Sequence, residues 1–195
     1  MPPRPRPTVA RPTGLTYVTD LVTPAEERDL LATLTGLDYA AVVLRGQPAR
    51  RRVRHFGHGY DFGTGALTPA APLPPDLAVL RRRCAQLAGL APEAFSEALV
   101  TWYPSGAGIG WHRDAPVFGA PVAGVSLGAG CTMRLRRTNA GPAEVYGLLL
   151  APRSAYLLDG AARWAWQHHI PPVAHDRYSV TFRTTRAAPR TAPRR

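Results

Sequence analysis

The chain has 195 residues, 24 basic against 13 acidic side chains and a formal net charge of +11, and every basic residue is an arginine. Its length suits one domain; a hydrophobic fraction of 45% excludes disorder throughout, and two cysteines exclude a disulfide scaffold. Arg4, Arg6 and Arg11 near the start and Arg186, Arg190, Arg194 and Arg195 at the end carry seven of the positive charges with no acid beside them. Residues 1–14 and 186–195 are therefore expected to be disordered basic tails around a domain at 15–185. The N-terminus lacks the apolar stretch of a secretory signal, and no apolar run approaches the roughly 20 residues that cross a bilayer. A cytoplasmic, monomeric protein without membrane association is expected, with Cys84 and Cys131 as buried free thiols.

In chain order, Thr23-Pro24-Ala25-Glu26 is a capping box: Thr23 stands at the N-cap, Pro24 at the first helical position and Glu26 at the third. Leu30, Leu31 and Leu34 continue as an apolar stripe, and Gly36 can close the helix. A second helix is predicted from Pro74-Pro75-Asp76 to Gly89, with Leu77, Leu80, Cys84 and Leu87 on one face and Arg81, Arg82 and Arg83 mainly off it, as a solvated surface. Beyond Glu97, short runs rich in Val, Tyr, Trp and Thr alternate with glycine and proline breaks. Strands are predicted at 97–103, 109–114, 122–127, 131–136, 145–150, 155–158, 163–170 and 177–183. Two helices followed by about eight strands describe an α+β fold, a β-sandwich backed by helices.

Two segments carry chemistry. His112-x-Asp114 puts two side chains on one face of a strand, where both can reach one metal ion; alone the pair is a common pattern, and a third ligand could come from His168, His169 or His175. Two histidines and a carboxylate form the facial triad of non-haem iron oxygenases. In Arg177-Tyr178-Ser179-Val180-Thr181-Phe182-Arg183, period two gathers Arg177, Ser179, Thr181 and Arg183 on one face and the apolar residues on the other. An ordinary half-buried strand has that pattern too; the functional reading is a cationic clamp for a small dicarboxylate.

Several segments together resemble the AlkB-type 2-oxoglutarate- and Fe(II)-dependent dioxygenases. They are Tyr103-Pro104-Ser105-Gly106, His112-x-Asp114, Gly124-Val125-Ser126-Leu127-Gly128, Gly160-Ala161-Ala162-Arg163, Trp166-x-His168-x-Ile170 and Arg177-x-Ser179-x-Thr181-x-Arg183. A weaker match extends to Arg54-His55-Phe56-Gly57-x-x-Tyr60. The resemblance implies a double-stranded β-helix (a jelly-roll, cupin-like core) with N-terminal supporting helices and a substrate lid at about 45–65. It implies His112, Asp114 and His168 as iron ligands, with His168 preferred to His169. It implies that 2-oxoglutarate is held by Arg177 and Ser179 at its distal carboxylate, by Arg183 nearer the chelating end, and by the Tyr103 hydroxyl. The family often has asparagine where Thr101 stands. The cofactors implied are Fe(II), 2-oxoglutarate and O2, and the reaction is oxidative dealkylation of N-alkylated nucleobases in DNA or RNA, yielding succinate, CO2 and aldehyde.

The stretch from Arg50 to Phe62 joins cations to aromatic rings. Phe56, Tyr60 and His55 are expected to stack on a flipped base, with Arg54 and its neighbours at phosphates; an exposed basic loop before buried aromatics is the alternative. Arg134, Arg136 and Arg137 add charge on a strand and its turn, Arg137 being the further substrate candidate. Repair members that act on adenine can carry an acid two positions after the metal aspartate; Pro116 stands there. The same chemistry on a protein or small molecule, and a non-catalytic nucleic-acid-binding module on the same fold, are the alternative functions.

Overall fold

A computed structural model describes residues 9–44, 46–61, 64–138 and 143–186. Residues 1–8 and 187–195 of the expected tails lie outside the described residues, as do 45, 62 and 63 of the expected lid. The first helix, α1 (Pro24–Thr35), begins as its sequence predicts: the Glu26 amide donates to Thr23 Oγ1 (3.2 Å) and the Thr23 amide to Glu26 Oε2 (2.8 Å). The second, α2 (Pro75–Ala88), stops at Gly89, whose φ of 67° is the left-handed conformation that glycine adopts without a Cβ penalty. The arginine face of α2 is not wholly solvated. Arg83 donates to Glu26 (2.6 Å) and to the Leu21 carbonyl (2.8 Å), so it ties α2 to the entrance of α1.

Thirteen strands are described, more than the eight expected. Those matching the prediction are β6 (Glu97–Tyr103), β7 (Ile109–His112), β8 (Phe118–Gly128), β9 (Cys131–Arg137), β10 (Glu144–Leu150), β11 (Ser154–Leu158) and β13 (Arg177–Thr185). The stretch 163–170 divides instead, because Asp159 caps a short helix, α3 (Gly160–Trp164), ahead of β12 (Gln167–Ile170). The additional strands lie upstream: β1 (Leu15–Val18), β2 (Ala40–Leu44), β3 (Gln47–Phe56), β4 (His58–Tyr60) and β5 (Leu67–Pro69). Of these β3 matters most. Its run of arginines has the composition of a loop, yet it pairs with β6 on one side and β2 on the other, which satisfies its backbone groups.

The strands form a seven-stranded sheet, in the order β1-β11-β8-β13-β6-β3-β2, facing a four-stranded sheet, β10-β9-β12-β7; β4 and β5 make a hairpin. Two cores result. One lies between α1, α2 and the large sheet, with Leu34, Leu77, Leu80, Phe95, Val180 and Phe182 fully buried. The other lies between the sheets, around Met133, Leu135, Leu150, Leu158 and Trp166. Because β13 sits mid-sheet, its alternation sends Tyr178, Val180 and Phe182 to the helices and its polar residues to the space between the sheets. None of the described helices is long and apolar enough to cross a membrane.

Candidate active site

The sheets enclose a cavity of about 440 Å³. The large sheet contributes inward residues of β3 (Arg51, Val53, His55), β6 (Leu99, Thr101, Tyr103) and β13 (Arg177, Ser179, Thr181, Arg183), and the small sheet contributes His112 and His168. These last two are directly paired across β7 and β12, with ring centroids 4.1 Å apart. His168 Nε2 lies 3.9 Å from Asp114 Oδ2. His112 Nδ1 stands 2.8 Å from the Gly110 carbonyl, which can only accept; the proton therefore sits on Nδ1 and the Nε2 lone pair is free. Burial pushes the His168 imidazole down to about 3, and it lowers His112 as well, so both rings are neutral near pH 7. His169, one position on, faces outward: its Nδ1 meets the Ile109 carbonyl (2.7 Å) and its ring packs on Trp111.

Asp114 is buried, which by itself would raise its carboxyl; the field of the Arg183 guanidinium beside it holds it well below the ordinary carboxylate range. Arg183 meets Asp114 Oδ1 through Nε (2.7 Å) and Nη2 (2.6 Å), and its Nη1 donates to Glu97 Oε2 (3.1 Å). Glu97 is 1% exposed and also lies 3.1 Å from His55 Nδ1. The result is a buried chain, His55–Glu97–Arg183–Asp114, in which each carboxylate has a cationic partner. At the other end of β13, Arg177 is 1% exposed, donates from Nε to Ser126 Oγ (3.1 Å) and stacks over Tyr103, while its buried Nη1 has no partner among the described residues. Burial raises the Tyr103 hydroxyl, opposed by the fields of Arg177, Arg51 and Arg183.

The family model of the 2OG-Fe(II) oxygenase superfamily matches residues 14–188. The chain is a 2OG-Fe(II) oxygenase. It is AlkB-like: it is 32% identical over 181 residues to the "Alkylated DNA repair protein ALKBH8 homolog" of Arabidopsis thaliana, a match covering 81% of this chain and 51% of that protein. It is 28% identical over 176 residues to the Xenopus tropicalis "tRNA (carboxymethyluridine(34)-5-O)-methyltransferase alkbh8", covering 87% of this chain and 27% of that one. The oxygenase thus spans about half, or about a quarter, of these relatives. Its fold matches the structure of OsALKBH1 with a TM-score of 0.69 at 15% identity, covering 90% of this chain and 98% of that one. A Pseudomonas putida prolyl-4-hydroxylase matches with a TM-score of 0.63 at 14% identity, covering 89% and 93%. At those identities the likeness is of fold, the double-stranded β-helix.

As a member of this superfamily the oxygenase is a dioxygenase dependent on Fe(II), 2-oxoglutarate and O2. Among the described residues no three His, Cys, Asp or Glu side chains are closed into a metal cluster. Two neutral imidazoles and an ionised carboxylate match what non-haem Fe(II) takes, and a 3.9 Å separation lies within the roughly 4 Å that two donors of one ion span. For 2-oxoglutarate, the unpartnered buried Nη1 of Arg177 is a donor in need of an acceptor. The residues present fit both groups.

Of the substrate candidates, His55 and Tyr60 line the cavity and the others do not. Phe56 is 4% exposed in the helix-side core, because alternation along β3 turns it away from His55; Arg54 follows it, its guanidinium 5.7 Å from the Phe56 ring. Arg137 bonds Glu144 (2.9 Å) within the β9–β10 hairpin and stacks on Trp166. Three residues were missed as site components. Glu97 carries no local motif. Arg51, expected with its neighbours at phosphates, is instead buried in the cavity wall. Arg163 belonged to a motif but had no role: only 2% exposed, it donates to the carbonyls of Asp114, Ala115, Phe118 and Gly119 and so pins the loop behind Asp114.

Proposed function

We propose that this oxygenase oxidises N-alkyl groups on nucleobases of DNA or RNA, releasing them as aldehyde, with iron held by His112, Asp114 and His168. In this reading the distal carboxylate of 2-oxoglutarate meets Arg177, Ser179 and Tyr103, and Arg183 stands at the chelating end. Bound Fe(II) with 2-oxoglutarate and O2 supplies oxidising power that side chains lack. The chain's own contribution is orientation and exclusion of water. The Gly110 carbonyl fixes the His112 tautomer, and the Arg183 fork occupies Asp114 Oδ1 and leaves Oδ2 toward His168. Leu99, Met133 and Ile170 give the cavity an apolar lining.

The observation that carries the substrate class is the make-up of the cavity's rim. His55 and Tyr60 stand along the cavity together with Arg113, and on the outer face of the small sheet beside it Arg136 lies 4.4 Å over the Trp111 ring. Rings that stack on an extruded base, beside arginines that can meet phosphates, are what chemistry on a nucleobase requires. The names of the relatives, alkylated-DNA repair in one and a tRNA modification in the other, support nucleic acid, and the second favours RNA. The test is succinate release with methylated DNA and RNA oligonucleotides, with aldehyde measured in parallel. Stimulation by a methylated oligonucleotide is the expected result; turnover of a methylated peptide and of no oligonucleotide overturns it.

A further inference from the structure

Arg51 is a buried cation, 7% exposed, on the inward face of β3. Of the other large buried cations around the site, Arg183 has Asp114 and Glu97, Arg163 has four carbonyls, and Arg177 has one hydroxyl, Ser126 Oγ. Among the described residues no hydrogen bond or ion pair joins Arg51 to a carboxylate or a carbonyl; the neighbour that tempers its burial is the Tyr103 hydroxyl. Strand register explains that contact. β3 pairs Arg52 with Trp102, and one step further along the same register brings Arg51 abreast of Tyr103. On the other side of β6, Tyr103 pairs with Arg177. Two buried guanidiniums therefore flank one tyrosine on three adjacent strands, and one of them holds the unpartnered Nη1.

We propose that Arg51 and Arg177 form a two-sided clamp, closed across Tyr103, on the distal carboxylate of 2-oxoglutarate. The inference rests on the superfamily's co-substrate and on the assignment of Arg177 to it, not on the nucleobase as substrate. A carboxylate has two oxygens with about four acceptor sites between them. Arg177 spends Nε on Ser126 and so approaches from one side; the second oxygen needs a donor from elsewhere, and Arg51 is the buried donor abreast of Tyr103. Charge balance points the same way. Two buried cations without anions destabilise the ligand-free protein, and a dianion relieves them. Arg51 then joins Arg177 in making the site select a dicarboxylic over a monocarboxylic 2-oxo acid.

The experiment titrates the Fe(II)-loaded, full-length protein anaerobically with 2-oxoglutarate, and separately with 2-oxobutyrate, which keeps the chelating end but lacks the distal carboxylate. Binding is followed by the metal-to-ligand absorption band and by calorimetry. Arg51→Met is expected to bind 2-oxoglutarate about ten- to a hundredfold more weakly and 2-oxobutyrate within about twofold of the parent. Without ligand, Arg51→Met should melt no lower than the parent, and 2-oxoglutarate should raise its melting temperature less. Arg51→Lys, which keeps the charge without the planar fork, should fall between the two and serves as the reading if the methionine variant does not fold. Unchanged 2-oxoglutarate affinity overturns the clamp, and loss of oligonucleotide affinity alone would assign Arg51 to a substrate phosphate instead. Equal weakening of both acids also overturns it, as a packing effect. A parent that binds 2-oxoglutarate by calorimetry but gives no band contradicts the iron-ligand assignment, while the calorimetric comparison still reads the clamp.

Discussion

At the scale of single residues, one position separates a cavity side chain from a surface one. His168 is inward beside His112, and His169 packs outside on Trp111, so the two histidines make opposite predictions. His168→Ala or Asp114→Ala should abolish the absorption band that 2-oxoglutarate gives with Fe(II), and His169→Ala should leave it in place. Anaerobic titration reads both, and a band surviving Asp114→Ala would remove that residue from the ligand set. Glu97 stands one step back from the proposed metal site, as the second anion on Arg183. Its replacement by alanine leaves a buried guanidinium with one partner in place of two and should cost about 3–5 kcal/mol in urea unfolding.

Among the elements, α3 exists largely to deliver Arg163 into the loop that follows Asp114. Arg163→Met strips four carbonyls of their donor, at a cost of at least about 1–3 kcal/mol, and should weaken metal binding about tenfold or more. Metal titration against a chelator checks the second effect separately from the first. The junction of the helices is pH-sensitive. The hydrogen bond from Arg83, with the Thr23 cap, pushes the exposed Glu26 carboxyl from 4.5 down to about 2. A carboxyl whose folded value is depressed contributes stability above its unfolded value, and loses it as pH falls toward the folded one. The stability difference between the parent and Arg83→Gln should therefore be largest above pH 4.5 and shrink toward pH 2. Glu26 is at the surface, so the difference should also be small and decrease in salt.

For the molecule as a whole, the charge of +11 separates by job. Arg163 and Arg183 are spent on carbonyls and carboxylates inside the protein, and Arg83, Arg137 and Arg153 on surface ion pairs. Arg113, at the cavity, and Arg136, outside it over Trp111, are bonded to neutral acceptors (the Ala165 carbonyl and Gln167), so their charge is left for a nucleic-acid backbone. If each meets a phosphate, Arg113→Ser and Arg136→Ser should each lower the slope of log affinity against log salt by about 1. Fluorescence titration of an oligonucleotide at several salt concentrations measures it. An unchanged slope in both variants would move the backbone contacts elsewhere on the surface.

What the sequence determined by itself is what short-range rules govern. The Thr23–Glu26 capping box, the stop at Gly89, most of the strands from β6 onward and the inward face of Arg177, Ser179, Thr181 and Arg183 all follow from caps and periodicity within a few residues. So does the family, because its motifs keep their order along the chain. What only the tertiary structure decided is how strands far apart in sequence lie beside one another. The β3–β6 register carries Arg51 to Tyr103 and turns Phe56 into the helix-side core; the β6–β13 register sets Glu97 against Arg183; and the β12–β7 pairing sets His168 directly across from His112. An isolated strand is equally content with either face inward. Which face becomes the cavity is fixed by what packs against it, and buried arginines are sorted into those the protein neutralises itself and those it leaves for a ligand only once their neighbours are in place.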